Sequence, residues 1–210
     1  MYMKTVLFVI LQDYADWEAA SLAAAINKTD GCEVKTVALT KTPVRSIGGF
    51  YAEPSITVGE ALSIPYDGLV LVGGNSWRTP DAQKVKPLVI DAQERDIVIG
   101  AICDATVFLG VNGMLNQSVH TSNWLDGLVQ YAGKSYTGSS LYRNEQSVRG
   151  TKLVTANGTA HLEFARDMLI ELGIMTEENA VLWYRFYKYG ICELFKEPGV
   201  FQKLSEAGIL

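Results

Sequence analysis

Cys103 is the residue in this sequence whose surroundings best suit chemistry. It follows a strand-sized apolar run, Val98–Ile102, and it precedes Asp104–Thr106, where a helix is predicted to begin. The partial positive charge at the N-terminus of a helix stabilises a thiolate, so a cysteine on such a turn is a candidate nucleophile. A free cysteine is also often simply buried in a core, and the local pattern alone leaves both interpretations open.

Two other strand ends carry residues that could act with Cys103. The first predicted strand leads into a helix that holds Glu18, and another buried strand ends at Gly73 and Gly74. Ligand crevices of open parallel sheets lie outside the carboxyl ends of the strands, so we expect these residues to converge. The backbone N–H groups of the two glycines and of Asp104 are candidate donors to a developing oxyanion. A first-turn carboxylate and a glycine turn also have ordinary structural explanations.

Strands alternate with helices along most of the chain. The predicted strands are Lys4–Leu11, Glu33–Leu39, Gly68–Val72, Ile97–Ile102 and Lys152–Ala156. One of the intervening helices is predicted over Ala82–Arg95, after Pro80. Alternation of this kind predicts a doubly wound α/β fold, in which helices cover both faces of a mainly parallel sheet.

The sequence predicts an α/β domain at residues 1–175 and a helical C-terminal extension at residues 176–210. Helices are predicted over Glu177–Phe195 and Pro198–Ala207. The stretch Trp183–Tyr189 carries a tryptophan, a phenylalanine and three tyrosines, and an aromatic surface of this kind requires cover. We expect the extension to pack on its own domain or on a second subunit, and we expect a homodimer.

Composition limits the partners. The chain has 210 residues, of which 48% are apolar and 20% charged, and its formal net charge is −5. A negative charge disfavours nucleic acids and anionic membranes, and no apolar run approaches the roughly 20 residues of a membrane span. We therefore expect no nucleic-acid or membrane partner, and we expect the crevice at the strand ends to take a small-molecule substrate.

Three cysteines without short paired spacing indicate a reducing compartment, and no signal-peptide pattern follows Met1. We therefore expect a cytoplasmic protein. Cys32 and Cys192 have no chemical context, and the two histidines are His120 and His161. A zinc site would need an unusual ligand set, so we expect neither a metal nor another cofactor.

Several segments of the sequence resemble segments of the ThiJ/PfpI superfamily and occur in the same order. They are Lys4–Leu11, Glu18, Leu71–Gly74, Gly100–Thr106 and Thr155–Ala160. The similarity covers about residues 3–173. The superfamily includes the parkinsonism-associated protein, PfpI-type intracellular proteases and bacterial relatives described as type 1 glutamine amidotransferase-like.

The resemblance implies a flavodoxin-like three-layer α/β/α sandwich with a mainly parallel sheet. It also implies that Cys103 carries the chemistry and that Glu18 supplies the carboxyl group that hydrogen-bonds the sulfur. The oxyanion donors then correspond to the backbone of Gly73 or Gly74 and of Asp104.

Two features depart from the family pattern. The residue after the cysteine is usually alanine or glycine, whereas here it is Asp104, and a carboxylate beside a thiol raises the thiol pKa. PfpI-type members place a histidine directly after the cysteine, and other members supply one from a later loop. Neither pattern maps cleanly onto this sequence. His120, which precedes Thr121–Asn123, is the candidate base, and a loop or packing histidine is the alternative.

Three functions fit these residues. The first is a cysteine enzyme acting on small carbonyl or amide compounds, with a glyoxalase-like, deglycase-like or hydrolase activity, Cys103 as nucleophile and Glu18 moving a proton. The second is a redox-responsive stress protein in which Cys103 is oxidised without turnover. The third is a glutaminase that uses Cys103 with His161 and Glu163, a pair that resembles the His-x-Glu of class I glutamine amidotransferases. The turn at Asn157–Ala160 separates that pair from the strand end, unlike in those enzymes.

Overall fold

The computed structural model describes residues 2–210, except for the side chain of Glu193. The strands are β1 (Lys4–Val9), β2 (Cys32–Ala38), β3 (Val44–Arg45), β4 (Tyr51–Ala52), β5 (Ile56–Thr57), β6 (Gly68–Leu71), β7 (Val98–Ile102), β8 (Ser147–Gly150) and β9 (Leu153–Ala156). The helices are α1 (Asp16–Lys28), α2 (Val58–Ala61), α3 (Lys86–Glu94), α4 (Asp104–Val111), α5 (Leu125–Ala132), α6 (His161–Glu171), α7 (Glu177–Tyr189), α8 (Ile191–Leu194) and α9 (Val200–Glu206).

Seven of these strands form one sheet in the order β5-β2-β1-β6-β7-β9-β8. All neighbours pair in parallel except β8, which is antiparallel to β9. The five central strands, taken in sequence order, follow the 2-1-3-4-5 arrangement of flavodoxin-like folds. A separate hairpin joins β3 to β4. The predicted fold is therefore confirmed.

The central strands β1, β6, β7 and β9 are buried on both faces because they carry consecutive apolar residues rather than alternating ones. In β1, Leu7 and Val9 contact the apolar layer beneath α3, α4 and α5, whereas Val6 and Phe8 contact the layer beneath α1 and α6. All four of these side chains are fully buried. Helices on both faces of the sheet complete the three layers.

The C-terminal helices pack on the α1 and α6 side of the sheet. Trp183 in α7 and Leu204 in α9 are buried in the same apolar cluster as Leu22 and Phe164. Tyr189, at the end of α7, stays exposed. The extension thus covers its own domain with part of its aromatic surface, and dimer formation stays a prediction.

Two predicted helices are wrong in their extent, and each break has a local cause. The segment predicted as one helix over 82–95 is a 3₁₀ helix at Pro80–Val85 followed by α3, because Pro87 lacks an N–H and its ring opposes a continuous α-helix. The helix predicted over 177–195 ends at Tyr189, because Gly190 follows with φ of +83°.

The connections between the strands place a candidate site at the carboxyl ends of the central strands. From β1 the chain crosses to β2 on one side, whereas β6 lies on the other side of β1, which makes a topological switch point. The carboxyl ends of β1, β6, β7 and β9 are adjacent there. Glu18, Gly73, Cys103 and Gly158 follow these four strands in turn.

Candidate active site

Cys103 lies on a strained turn between β7 and α4, which we call the elbow. Its φ is +58° and its ψ is −131°, a backbone conformation that residues other than glycine rarely adopt. The Cys103 N–H donates to the carbonyl of Ala156 at 3.0 Å, and the Cys103 carbonyl accepts from the Thr106 hydroxyl at 2.6 Å. These bonds hold the strained backbone in place. They also fix the sulfur at the N-terminus of α4, where the helix dipole favours a negative charge.

Glu18 is the buried carboxyl group beside this sulfur. It lies in the first turn of α1, only 1% of its surface is exposed, and it shares a hydrogen bond with the Cys103 thiol. Burial raises the pKa of Glu18 to about 7, because desolvation disfavours the charged form more than that hydrogen bond favours it. Its Oε2 atom has no hydrogen-bond partner of good geometry among the described residues. A carboxyl group with this pKa can take up or release a proton near neutral pH.

Two glycines allow Glu18 and Cys103 to meet. A Cβ atom on Gly73 would lie 2.6 Å from the Cβ of Cys103 and would also overlap the Glu18 carboxyl. A Cβ atom on Gly158 would lie 2.9 Å from the sulfur and 3.1 Å from Glu18 Oε1. Any larger residue at either position would displace the pair. The backbone of two separate loops therefore encloses the thiol and the carboxyl group from both sides.

The thiol and the carboxyl group titrate as a pair. Burial and the negative charge of Glu18 raise the pKa of Cys103 to about 11. Since the first proton leaves the pair near pH 7, the pair holds two protons below that pH and one above it. The remaining proton can move between the carboxyl oxygen and the sulfur. Glu18 can therefore act as a base toward a thiol that on its own would be weakly ionised.

Asn123 contacts the Cys103 sulfur, and no sequence pattern had indicated this contact. Its side-chain Nδ2 lies 3.5 Å from the Cys103 sulfur and 3.2 Å from Asp104 Oδ1. Its Oδ1 accepts the N–H of Gly158 at 2.9 Å. The hydrogen bond from Asn123 lowers the pKa of Cys103, against the larger effect of burial. One amide therefore links the elbow that carries the sulfur to the turn that follows β9.

The Asp104 carboxylate is turned toward Arg78. Asp104 Oδ2 lies 2.6 Å from Arg78 Nε, and Oδ1 lies 2.8 Å from Arg78 Nη2. The aspartate expected to oppose thiolate formation is thus paired with a cation, although its charge still makes a small contribution that raises the pKa of Cys103. The backbone N–H of Asp104 hydrogen-bonds the sulfur and has the opposite effect.

The other expected oxyanion donors lie at the same place. The N–H of Gly73 faces the Glu18 carboxyl group. Gly74 has φ of +147°, and a Cβ atom there would lie 2.7 Å from the Cα of Tyr14. These glycines are therefore required by the close packing of the loop. Their use for a substrate oxyanion, together with the N–H of Asp104, stays a prediction.

Comparison with known proteins identifies the family of this chain. The sequence profile of the DJ-1/PfpI family matches residues 4–171. The chain belongs to the DJ-1/PfpI family. It is 38% identical over 201 residues to a Bacillus subtilis (strain 168) protein named "Uncharacterized protease YdeA", and the match covers 94% of this chain and 100% of that protein.

Solved structures of this family agree with the fold. A thiJ/pfpI family protein from Bacillus anthracis superimposes with a TM-score of 0.85 at 27% identity, and the match covers 100% of both chains. The DJ-1 superfamily protein Atu0886 from Agrobacterium tumefaciens gives a TM-score of 0.80 at 33% identity, covering 89% of this chain and 100% of that one. The resemblance to the ThiJ/PfpI superfamily is therefore confirmed.

In this DJ-1/PfpI protein the side-chain amide of Asn123, and not the predicted base His120, contacts the sulfur. The structure does not bring His120 to Cys103. His120 is fully buried, its Nδ1 donates to the Ser118 carbonyl at 2.8 Å, and its Nε2 accepts from the Tyr136 hydroxyl at 2.7 Å. Burial also lowers its pKa. With both ring nitrogens engaged, no contact supports His120 as the base.

The structure does not bring the His161 and Glu163 pair to the Cys103 sulfur either. Both residues lie in the first turn of α6. Glu163 Oε1 accepts from the Tyr184 hydroxyl at 2.8 Å and from Lys188 Nζ at 3.0 Å, so its carboxylate holds the C-terminal helix α7. This engagement leaves the third member of the expected glutaminase triad away from Cys103.

The described residues hold no group of three or more His, Cys, Asp or Glu side chains that could bind a metal ion. Across residues 2–210, no helix is long and apolar enough to cross a bilayer. Cys32 is half-buried and Cys192 is exposed, and neither is paired in a disulfide.

Proposed function

We propose that this DJ-1/PfpI protein is a cysteine-dependent enzyme acting on small carbonyl or amide compounds. Cys103 is the nucleophile and Glu18 is the proton-transfer partner. The observation that carries the proposal is the enclosed pair, in which a buried carboxyl group with a pKa of about 7 shares a hydrogen bond with the thiol at a helix N-terminus.

The proposed first step uses this geometry. The carboxylate of Glu18 takes the proton of the Cys103 thiol while the sulfur attacks the carbonyl carbon and forms a C–S bond. The electron pair of the carbonyl bond moves to the oxygen, where the backbone N–H groups of Asp104 and Gly73 or Gly74 stabilise the negative charge. Glu18 then returns the proton to that oxygen. The net reaction adds S–H across C=O and consumes no other reagent.

Small carbonyl compounds suit the site better than amides. Addition to an aldehyde or ketone needs one proton moved from sulfur to oxygen, which a single carboxyl group can do. Cleavage of an amide also needs a proton for the departing amine, and among the described hydrogen bonds no imidazole reaches Cys103. The Bacillus subtilis relative is named a protease, which keeps amides within the proposed class.

The two alternatives are less well supported. A glutaminase would need Glu163 to orient His161 toward the sulfur, but Glu163 is bound to Tyr184 and Lys188. A redox sensor without turnover would use the same cysteine. The Oε2 atom of Glu18, which has no hydrogen-bond partner among the described residues, is available to bind an oxidised sulfur when protonated. Only consumption of a substrate distinguishes the sensor from the enzyme.

The test is the consumption of small carbonyl and amide compounds by the purified protein. A panel of α-oxoaldehydes, simple aldehydes and acyl amides is followed by nuclear magnetic resonance, with Cys103→Ser and the matched control Cys32→Ser. We expect the unmodified protein and the control to consume at least one compound and Cys103→Ser to consume none. Consumption that survives in Cys103→Ser would refute the proposal. Oxidation of Cys103 without any consumption would favour the sensor.

A further inference from the structure

The negative charge of Asp104 opposes ionisation of the Cys103 thiol. It is the next residue along the chain, only 13% of its side chain is exposed, and its charge raises the pKa of both Cys103 and Glu18. The groups around the sulfur are the carboxyl group of Glu18 on α1, the side chain of Asp104 on α4 and the uncharged amide of Asn123. Two carboxyl groups thus approach one thiol, and neither Glu18 nor Asn123 supplies a positive charge.

Arg78 supplies that charge. Its guanidinium binds both oxygens of Asp104, at 2.6 and 2.8 Å, in the two-pronged geometry that makes such pairs strong. The Arg78 side chain is 27% exposed, so solvent screens the pair only in part. The pair turns the Asp104 carboxylate toward the cation and reduces its field at the sulfur.

Arg78 also joins three parts of the fold at the mouth of the site. It lies in the 3₁₀ turn Asn75–Arg78, which directly follows the glycines at 73 and 74. Its guanidinium contacts Asp104 on α4 and stacks over the ring of Tyr131 on α5, 3.9 Å from the ring centroid. The loop that carries the oxyanion glycines is thereby fixed to the elbow that carries the nucleophile.

We infer that Arg78 is a positioning residue of the Cys103 site. It neutralises Asp104, so that Cys103 can react at neutral pH, and it holds the glycine loop against the elbow. The inference rests on the proposed function, because it concerns the reactivity of the same cysteine. It assigns a role to a residue that touches neither the sulfur nor Glu18.

The test is the rate of Cys103 alkylation by iodoacetamide from pH 5.5 to 9, read by mass spectrometry of its peptide. With Asp104 unpaired in Arg78→Met, we expect the profile to move to higher pH and the rate at pH 6 to fall about three- to tenfold. Arg78→Lys, which keeps the charge, should stay within about twofold of the unmodified protein. Adding Asp104→Asn to Arg78→Met removes the unpaired charge and should restore the rate to within about twofold.

Arg95→Met is the matched control. Arg95 pairs with Asp91 at 3.1 Å and stacks over Tyr66 at 4.4 Å, which repeats the Arg78 arrangement away from the site. This variant should leave the Cys103 profile unchanged. Labelling of the Cys32 peptide in the same samples reports any loss of folding.

Two results would overturn the inference alone: an Arg78→Met profile that coincides with that of the unmodified protein, or a double variant that stays as slow as Arg78→Met. An unmodified protein in which Cys103 reacts no faster than Cys32 would overturn the proposed function as well. The assay therefore separates the failure of the two claims.

Discussion

Gly158 lies so close to Cys103 that a Cβ atom on this glycine would come within 2.9 Å of the sulfur. The same Cβ would lie 3.1 Å from Glu18 Oε1. The turn after β9 therefore forms one wall of the site, and the space between the two residues has no room for a methyl group. This relationship makes the position of the thiol sensitive to a residue that performs no chemistry.

Substitution of Gly158 by alanine tests this wall. We expect Gly158→Ala to displace the sulfur or the Glu18 carboxyl group and to slow alkylation of Cys103 at least about tenfold, because small displacements of reacting groups are costly. The overpacking should also lower the free energy of unfolding by about 1–3 kcal/mol. Gly59→Ala is the control, since a Cβ at Gly59 meets no atom closer than 3.9 Å. A Gly158→Ala protein with unchanged Cys103 kinetics would contradict the proposed wall.

Asn123 should contribute through its hydrogen bond to the sulfur. The bond lowers the pKa of Cys103, so Asn123→Ala should raise that pKa and slow alkylation at pH 7 about two- to tenfold, the effect of one lost hydrogen bond. Asn116→Ala is the matched control, because the amide of Asn116 also uses both its nitrogen and its oxygen, with Nδ2 donating to the Ser135 carbonyl and Oδ1 accepting the Thr137 N–H, but away from the site. Equal rates in the two variants would exclude a role for Asn123 at the thiol.

Glu163 should matter for stability and not for chemistry. Burial opposes its charge, but hydrogen bonds from its own backbone N–H, Lys188 and Tyr184 lower its pKa overall. The stabilisation from the ionised Glu163 carboxylate is therefore complete above the unfolded-state pKa of about 4.3. It is lost as the pH falls through the lower pKa of Glu163 in the folded protein. At pH 7 we expect Glu163→Gln to lower the free energy of unfolding by about 1–3 kcal/mol, with Cys103 reactivity unchanged.

Denaturant unfolding at pH 7 and pH 3 measures this difference, which should shrink at the lower pH. Loss of Cys103 reactivity in a Glu163→Gln protein that remains folded would instead revive the glutaminase hypothesis. In that case His161→Ala should have the same effect, and glutamine should form a thioester with Cys103.

The central residues of the site could be predicted from the sequence, whereas the side chains that contact them could not. Cys103, Glu18 and Gly73 were identifiable because each follows a strand-sized apolar run, and parallel strands bring such ends together. Asn123 and Arg78 were not, because they lie in a loop and in a 3₁₀ turn, and their contacts with the elbow join residues 20 and 26 positions apart. No periodicity in the sequence specifies such contacts. Gly158 was predicted as a turn, and its closeness to the sulfur emerged only from the fold.

The structure gives the predicted histidine base no support, for a related reason. A histidine in a polar loop was the expected base, but polar loop residues also satisfy buried groups of the fold, and His120 is bound in this way by Ser118 and Tyr136. Local sequence does not distinguish these two uses of a histidine. Helix limits failed where single residues, Pro87 and Gly190, interrupt an otherwise helical pattern.

Glu18 should control how Cys103 responds to pH. With Glu18 as the base, alkylation should rise with an apparent midpoint near pH 7, the value to which burial raises the Glu18 pKa. Glu18→Gln removes the base but still donates a hydrogen bond, so this midpoint should disappear while some reactivity remains. Glu18→Leu removes both properties and should be slower than Glu18→Gln at every pH tested. Identical profiles for the two variants would contradict the shared-proton account.

The central claim is that Cys103 is the reactive centre, and competitive labelling tests it most directly. The unmodified protein is treated briefly with iodoacetamide at pH 7.5, and the extent of labelling at Cys32, Cys103 and Cys192 is read by peptide mass spectrometry. Cys192 is exposed whereas Cys103 is half-buried, so accessibility alone would favour Cys192. The account predicts that Cys103 is labelled first, because Glu18 removes its proton. Faster labelling of Cys32 or Cys192, with Cys103 left intact, would contradict it.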